Sequence, residues 1–255
     1  MNTLRFLGTG TSTGVPEIGC TCNTCTSSDV KDKRLRTSAY VQYNGHHVLI
    51  DCGPDFRQQI LQSPLPALDA IFVTHEHYDH VGGIDDIRPL FYNSDACPIY
   101  VEPNVAEALQ TRMPYAFGEK TYPGVPKIEL RTMHPQEPIV LSNNATVLPL
   151  RVFHGKLPIV GFRIGNLAYI TDCKTLPTET IESIKQIPIL IINCLRTYPH
   201  PSHLHLEEAL EVIRQISPKI TYLIHFAHTF GRHSDIQELL PPNIYPAYDG
   251  LEISF

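Results

Sequence analysis

Residues 74–83 read Thr-His-Glu-His-Tyr-Asp-His-Val-Gly-Gly, the most informative stretch of the sequence. It follows an apolar run over residues 68–73, which predicts a buried strand whose carboxyl end opens into a loop. The loop holds four side chains of the metal-ligand type: His75, His77, Asp79 and His80. Neutral imidazole is the commonest metal ligand in proteins, and carboxylate oxygen accompanies it at zinc and manganese sites. A merely polar loop has no need of three imidazoles, so the spacing predicts a metal centre at the end of this strand.

The pattern His-x-His-x-Asp-His followed by Gly82-Gly83 resembles the signature of the metallo-β-lactamase fold hydrolases. The resemblance implies an α/β fold, the four-layer αββα sandwich, formed by a single domain over residues 1–255. It further implies that His75 and His77 bind one metal ion, while Asp79 and His80 bind a second. Along the chain, a helix is predicted from Gly82 or Gly83 to Phe91.

Three later apolar strands are also predicted to end in ligand-type residues, namely His154, Asp172 and His225. The order of these residues matches the family, so the resemblance implies His154 as the third ligand of the first ion. It implies Asp172 as a carboxylate that bridges both ions, and His225 as the last ligand of the second ion. The alternatives are a histidine satisfied within the core and a carboxylate that only caps a turn.

A second group of ligands lies near the N-terminus, where Cys20, Cys22 and Cys25 fall within six residues. Three thiols at this spacing predict a structural zinc site whose fourth ligand comes from elsewhere, and a redox pair with a spare thiol is the alternative. The cluster resembles the PhnP-like subgroup, that of the phosphoribosyl cyclic phosphate phosphodiesterases, in which a distant histidine completes the site. This implies His228 as the fourth ligand, with His233 or a nearby cysteine as alternatives.

A histidine-rich segment precedes an amphipathic helix that is predicted to begin near His205. In the phosphodiesterase branch of the family, a histidine stands before a helix that carries a Glu-Ala step. Glu208-Ala209 matches that step, and the resemblance therefore implies that His203 acts in phosphoryl transfer rather than in metal binding. His200 and His205 are the local competitors for this role.

Three other segments allow two readings each. The Gly-rich residues 8–14 could cradle a phosphate with backbone N–H groups or form only a tight turn. Asp51 follows a predicted hairpin strand and could either support the metal loop, as in the family, or cap the next helix. Residues 114–126 are rich in Pro and Gly and predict a surface loop that could overhang the site.

Composition limits the function classes. The chain has 255 residues, 42% of them hydrophobic, and a formal net charge of −6, so it has no basic field for nucleic acid. No run of about 18 apolar residues exists, and the first seven residues lack a signal-peptide core, so we expect a cytoplasmic protein without a membrane span. Seven cysteines, an odd number, agree with a reducing compartment. A homodimer is compatible with the fold, in which dimers are common.

The expected function is that of a metal-dependent phosphoric diester hydrolase with two Zn²⁺ or Mn²⁺ ions at the active site and one structural Zn²⁺. Two ions about 3.5–4 Å apart share a water, lower its pKa towards about 7 and so supply hydroxide for attack on phosphorus. A positioned acid such as His203 contributes about 10²–10⁴-fold. The expected substrate is a small phosphodiester: a cyclic phosphate, a dinucleotide or a nucleotide derivative. The alternatives are a tRNA 3′-processing endonuclease, a thioester hydrolase of the same fold and a non-catalytic metal-binding module.

Overall fold

A computed structural model describes residues 1–92, 95–118 and 124–255, and it contains two seven-stranded sheets. The strands of the first sheet are β1 (Thr3–Gly8), β2 (Ser38–Tyr43), β3 (His46–Ile50), β4 (Ala70–Phe72), β5 (Cys97–Val101), β6 (Ile128–Thr132) and β14 (Glu252–Ser254). The strands of the second are β7 (Ile139–Val140), β8 (Thr146–His154), β9 (Leu157–Ile164), β10 (Leu167–Ile170), β11 (Ile189–Asn193), β12 (Ile220–Ile224) and β13 (Ile244–Pro246). Their spatial orders are β14-β1-β2-β3-β4-β5-β6 and β13-β12-β11-β10-β9-β8-β7.

Helices cover the outer face of each sheet. The α-helices are α1 (Phe56–Gln62), α2 (Tyr78–Val81), α3 (Pro103–Arg112), α4 (Pro114–Phe117), α5 (Thr178–Ser183), α6 (Leu206–Ile216) and α7 (His233–Leu239). Short 3₁₀ segments are Val30–Asp32, Ile84–Phe91, Ser142–Asn144 and His228–Phe230. No described helix has the length and apolar character needed to cross a membrane.

The apolar strand β11 shows why the molecule has four layers. Side chains of a strand alternate between its two faces. Ile189 and Ile191 point into the core between the two sheets, whereas Leu190 and Ile192 pack in the core beneath α5, α6 and α7. A strand that is buried on both faces reads as a continuous apolar run, as this one does. The αββα sandwich predicted from the sequence is confirmed.

Parallel pairing of strands brings the loops of the candidate site to one edge of the two sheets. Strands β3 to β6 are parallel to one another, and so are β10 to β13. The carboxyl ends of parallel strands meet at a common edge, where open α/β sheets bind their ligands. The loops after β3, β4, β10 and β12 therefore converge, although they lie far apart in the sequence.

Local predictions met mixed outcomes. The helix predicted from Gly82 or Gly83 to Phe91 is present as a 3₁₀ helix, Ile84–Phe91, with Pro89 inside it, and it follows a single α-helical turn that ends at Val81. Proline lacks the N–H that an α-helix needs at an interior position. The Asn44-Gly45 turn between β2 and β3 is confirmed, with φ of +50° and +84° at the two residues.

The segment 114–126, predicted as a surface loop, begins with the short helix α4. Its residues 119–123 lie outside the described part of the chain, and so does the prediction that this loop could overhang the site. Strands β6, β7 and β13 were not predicted from the sequence.

Candidate metal centre

The site begins with an unusual backbone at three strand ends. Asp51, Asp172 and His225 directly follow or closely follow β3, β10 and β12, and their φ angles are +60°, +56° and +63°. This left-handed conformation is uncommon outside glycine, although Asp and His adopt it more readily than most residues. Each such residue costs about 1–3 kcal/mol and persists only where its surroundings enforce it. Three such residues lie at the common edge of the two sheets, which indicates that the backbone there is constrained so that their side chains converge.

The loop after β4 brings its imidazoles together. Nε2 of His75 lies 2.9 Å from Nδ1 of His77. Asp79 and His80 belong to the single turn of α2, and the carbonyl of His80 accepts a hydrogen bond of 2.8 Å from the N–H of Cys52. This bond ties the metal-type loop to the chain that leaves β3, so the turn is fixed in place.

Asp172 lies at the centre of the cluster. Its Oδ2 is 3.4 Å from Nε2 of His80 and 3.8 Å from Nε2 of His75. Its Oδ1 is 3.0 Å from Nε2 of His225. Oδ2 thus faces one histidine from each half of the cluster, His75 and His80, and Oδ1 faces His225, so the carboxylate lies where both halves can share it.

His154, at the end of β8 in the second sheet, completes the cluster. Its ring centroid lies 5.2 Å from that of His77, and its Nδ1 lies 2.9 Å from the carbonyl oxygen of Ser202. A carbonyl only accepts hydrogen bonds, so Nδ1 of His154 carries the proton and donates it. Nε2 is then left with a free lone pair for a metal, the usual arrangement of a ligating histidine.

Asp51 supports the cluster from beneath. Its carboxylate accepts hydrogen bonds from the N–H and the Oγ1 of Thr74, at 2.8 and 2.9 Å, and lies 2.7 Å from Nδ1 of His80. Asp51 does not cap α1, whose N-cap position is occupied by Asp55. Of the two readings of Asp51, the structure shows the supporting one. It holds His80 so that Nε2 faces Asp172.

The cluster fits a divalent cation because it contains buried polar atoms without partners. Nε2 of His225 and Nε2 of His80 approach Asp172 at 3.0 and 3.4 Å without the alignment of a hydrogen bond, and Nδ1 of His225 has no hydrogen-bond partner among the described residues. Unsatisfied buried polar atoms are rare and require an explanation. Ligand atoms of Asp79, His80, Asp172 and His225 lie within 4.8 Å of one another, as do those of His75, His77 and Asp172. Two adjacent ions would satisfy both sets.

Electrostatics agree with this fit. Burial lowers the pKa of His75 well below its usual value, which keeps the ring neutral as a ligand must be. Burial opposes ionisation of Asp172, but His225 and His80 outweigh it and hold its pKa well below the usual range. Against burial, the carboxylates around His80 raise the pKa of that ring. A cation bound among these carboxylates would replace the proton on His80.

Of the three histidines considered for catalysis, His203 lies against the cluster and His200 lies behind it. The ring of His203 lies 4.5 Å from His154, 4.9 Å from His225 and 5.0 Å from His200, measured between centroids. His203 is 8% exposed, and its Nδ1 has no hydrogen-bond partner in the described chain. His205 instead precedes α6, with its Nδ1 2.7 Å from Glu208. The arrangement therefore leaves His203 as the inner ring and His200 as the outer one.

The thiols form a separate cluster. Sγ of Cys20 and Sγ of Cys22 lie 3.3 and 3.4 Å from Nδ1 of His228, and with Cys25 all four ligand atoms lie within 4.8 Å of one another. The hydrogen bond to His228 lowers the pKa of Cys22 to about 6, which favours the thiolate that a metal binds. His233, the alternative fourth ligand, lies elsewhere, with its Nδ1 3.3 Å from the Arg34 guanidinium.

Sequence reasoning missed Asn193, which supports Asp172 indirectly. Its side-chain oxygen accepts from the N–H of Cys173 at 2.7 Å, and its amide donates to the Cys173 carbonyl at 2.9 Å. The fully buried amide thus extends the sheet pairing by one residue beside Asp172. The signal in the sequence is a lone amide that ends a run of four aliphatic residues.

Comparison with known proteins agrees with the fold. The family described as "Beta-lactamase superfamily domain" matches residues 46–226. The chain belongs to this superfamily. Within it, the chain is similar to a crystal structure described as a new diphosphatase from the PhnP family, with a TM-score of 0.92 and 39% identity over 100% of this chain and 97% of that one.

Two further relatives extend the comparison. Zn²⁺-bound PqqB from Methylobacterium extorquens has a TM-score of 0.81 and 18% identity over 99% of this chain and 100% of that one, which shows a shared fold. A protein of Porphyromonas gingivalis named octanoyltransferase is 46% identical over 249 residues, which are 97% of this chain and 50% of that protein. The chain therefore spans about half the length of that curated relative.

Proposed function

We propose that this chain is a dinuclear-metal phosphodiesterase that hydrolyses a small, possibly cyclic, phosphodiester. The observation that carries the proposal is the group of seven ligand-type side chains at the edge of the two sheets, some of whose ring nitrogens have no hydrogen-bond partner. We call this group the edge cluster; it consists of His75, His77, Asp79, His80, His154, Asp172 and His225. One further imidazole, that of His203, lies beside it. The similarity to a PhnP-family diphosphatase supports chemistry at phosphorus.

The residues divide between two ions. His75, His77 and His154 would hold the first, and Asp79, His80 and His225 the second, with Asp172 shared between them. Ions bound there supply an activated water and neutralise charge on a phosphoryl group. The donor set of imidazole and carboxylate suits Zn²⁺ or Mn²⁺. The thiol cluster would hold a structural Zn²⁺, since a closed site rich in thiolate offers no open position.

His203 is proposed to act on the phosphoryl group. Burial lowers the pKa of its ring, so the ring is neutral near pH 7 and carries one N–H. That N–H can donate to a phosphoryl oxygen. An anionic phosphate beside the ring favours its protonated form, which can then donate a proton to the leaving oxygen. The partnerless Nδ1 supports this role because it leaves hydrogen-bonding capacity for a ligand.

The alternatives fit less well. A tRNA 3′-endonuclease needs a basic surface for a long RNA, and the chain carries a net charge of −6. Octanoyltransferase is the name of a protein about twice the matched length, so its activity is not transferred to this chain. A thioester hydrolase of the same fold would leave His203 without a phosphoryl group to contact.

The test is hydrolysis of bis(p-nitrophenyl) phosphate by manganese-loaded protein, with a glutathione thioester assayed in parallel and chelator-treated protein as the control. We expect metal-dependent cleavage of the phosphodiester and none of the thioester. Thioester cleavage alone would place the chain in another branch of the family. Loss of both activities with both metals bound would favour a non-catalytic metal-binding module.

A further inference from the structure

The loop that carries His203 also presents an aromatic ring to solvent. Tyr198 is 46% exposed, and no other aromatic ring of the described chain stacks on it. One face of the ring is covered by the Arg196 guanidinium, whose central carbon lies 3.9 Å from the ring centroid. An exposed tyrosine that contributes no packing to the core leaves its other face available for a ligand.

The cation behind the ring is held rigidly. Arg196 donates from Nε to the carbonyl of Tyr198 at 3.2 Å and from an Nη atom to the carbonyl of Pro199 at 2.7 Å. No carboxylate of the described chain forms an ion pair with Arg196. The guanidinium is therefore bound to its own loop, and it packs against one face of the Tyr198 ring.

Tyr198 shares its loop with His200 and His203. Tyr198 lies two residues before His200, whose ring centroid is 5.0 Å from that of His203. Tyr198 and His203 are five positions apart in the sequence, so their Cα atoms lie at most about 18 Å apart. A substrate whose phosphate contacts His203 can extend along this loop towards the tyrosine.

We propose that Tyr198, backed by Arg196, is a stacking surface for a nucleobase, and that the substrate is a nucleotide-type phosphodiester. This inference rests on the proposed function and narrows its substrate class. A flat ring fixed by a cation on one side offers the opposite face to a planar base, and aromatic stacking accepts any base because every base has a π-face. Arg196 has further N–H groups to interact with a base edge or a phosphate. A sugar packed on the ring is the competing arrangement.

The experiment compares adenosine 5′-monophosphate with ribose 5-phosphate, which is the same molecule without the base. Binding of each to the metal-loaded protein is measured by calorimetry. We expect the base to increase the affinity by about tenfold or more, the scale of one stacked base. Tyr198→Ala should remove that gain without changing the affinity for ribose 5-phosphate, and Tyr198→Phe should retain it. Tyr245→Ala is the matched control, since Tyr245 is 40% exposed but lies on β13, and it should change neither affinity.

The contrary outcomes are distinct. Absence of a base-dependent gain in the wild type, or equal weakening of both ligands by Tyr198→Ala, would overturn the inference, the second because it indicates that Tyr198 only shapes the loop. Hydrolysis of bis(p-nitrophenyl) phosphate by the same preparation separates this result from the proposed function. Activity without a base preference overturns the nucleobase inference alone. A base preference without phosphodiester cleavage overturns the proposed function, and with it the substrate class, and leaves Tyr198 only as a surface that binds nucleobases.

Discussion

The two ligand clusters of this molecule are built in opposite ways. The edge cluster draws its residues from segments spread between residues 75 and 225, and most of these residues are buried, His77 and His154 being partly exposed. The thiol cluster takes three ligands from residues 20–25, in an irregular loop, and only His228 comes from a distance. The first cluster is a product of the fold. The second cluster contributes order to a loop that has no regular structure of its own.

A segment of four residues, 225–228, connects the clusters because it supplies one ligand to each. The N–H of Phe226 donates to the carbonyl of Thr9, and the carbonyl of Phe226 accepts from the N–H of Thr11, both at 3.0 Å. The N–H of Ala227 donates to the carbonyl of Leu195, also at 3.0 Å. Whatever fixes His228 therefore also restrains His225, and the loop that leads to His203.

The largest effect is expected from the residue shared by both halves of the edge cluster. Asp172→Ala should lower phosphodiesterase activity by at least about 10³-fold, since it removes the charge on which a preorganised site depends. Metal analysis should show loss from the edge cluster while the thiol cluster keeps its single ion. Asp235→Ala, on the exposed side of α7, is the control and should change neither quantity. Retention of two edge ions would contradict the bridging role.

The next effect separates catalysis from metal binding within the edge cluster. His203→Ala should reduce activity by about 10²–10⁴-fold, the range for loss of a general acid, while both edge ions remain. The measurement is activity together with metal content by mass spectrometry. Ligand atoms of His203, His154 and Asp172 also lie within 4.8 Å of one another, so an ion bound among them is the competing arrangement. Loss of an edge ion in the variant would make His203 a ligand instead.

The thiol cluster should show the reverse pattern, with a large effect on stability and a small one on chemistry. Cys22→Ser should lose one equivalent of zinc and about 4 kcal/mol of unfolding free energy, as for a metal present at 1,000 times its dissociation constant. Through residues 225–228 it should also weaken metal binding at the edge cluster by about fivefold, a typical coupling between sites. Asn23→Ala, an exposed change in the same loop, is the control. An unchanged metal count would show that the thiols hold no zinc.

The contrast between the clusters also explains what could be predicted from the sequence. A short loop after an apolar strand repeats ligand-type residues, and this pattern alone predicts His75, His77, Asp79 and His80 as candidate ligands. The remaining edge ligands follow apolar strands as well, and the resemblance to a known family supplied their order. The thiols are adjacent in the chain, so their proximity needed no fold.

The features that escaped prediction depend on tertiary contacts. The lone amide of Asn193 after four aliphatic residues marks it only weakly, because its role exists only where β11 runs beside the chain that leaves β10. Strand β6 is an edge strand with exposed polar residues, so its pattern is weak, and β7 has only two residues. The left-handed backbone at Asp51 and Asp172 is imposed by packing at the sheet edge, and their residue types permit it without demanding it.

The smallest effect concerns Asp249, which supports the segment between the clusters. Its carboxylate accepts from the Oγ1 of Thr9 at 2.7 Å and from the N–H of Leu35 at 2.6 Å, and the carbonyl of Thr9 in turn receives Phe226. Burial raises the pKa of Asp249 to about 7, against the effect of these hydrogen bonds and of Arg34. The folded protein then binds a proton that the unfolded chain releases near pH 4. The resulting stabilisation is complete below about pH 4 and is lost as the pH rises to about 7.

Asp249→Asn should lack this dependence. The unfolding free energy of the wild type, measured relative to the variant by denaturant titration, should fall by about 3 kcal/mol between pH 5 and pH 8. Asp235→Asn is the control: Arg232 lowers the pKa of Asp235, so that carboxylate stays ionised throughout this range and its replacement should give a constant difference. A constant difference for Asp249→Asn as well would mean that the carboxylate is ionised beside Arg34. In that case an ion pair of Asp249 with Arg34 supports the segment that carries His225 and His228, and the stability of this segment does not depend on pH in this range.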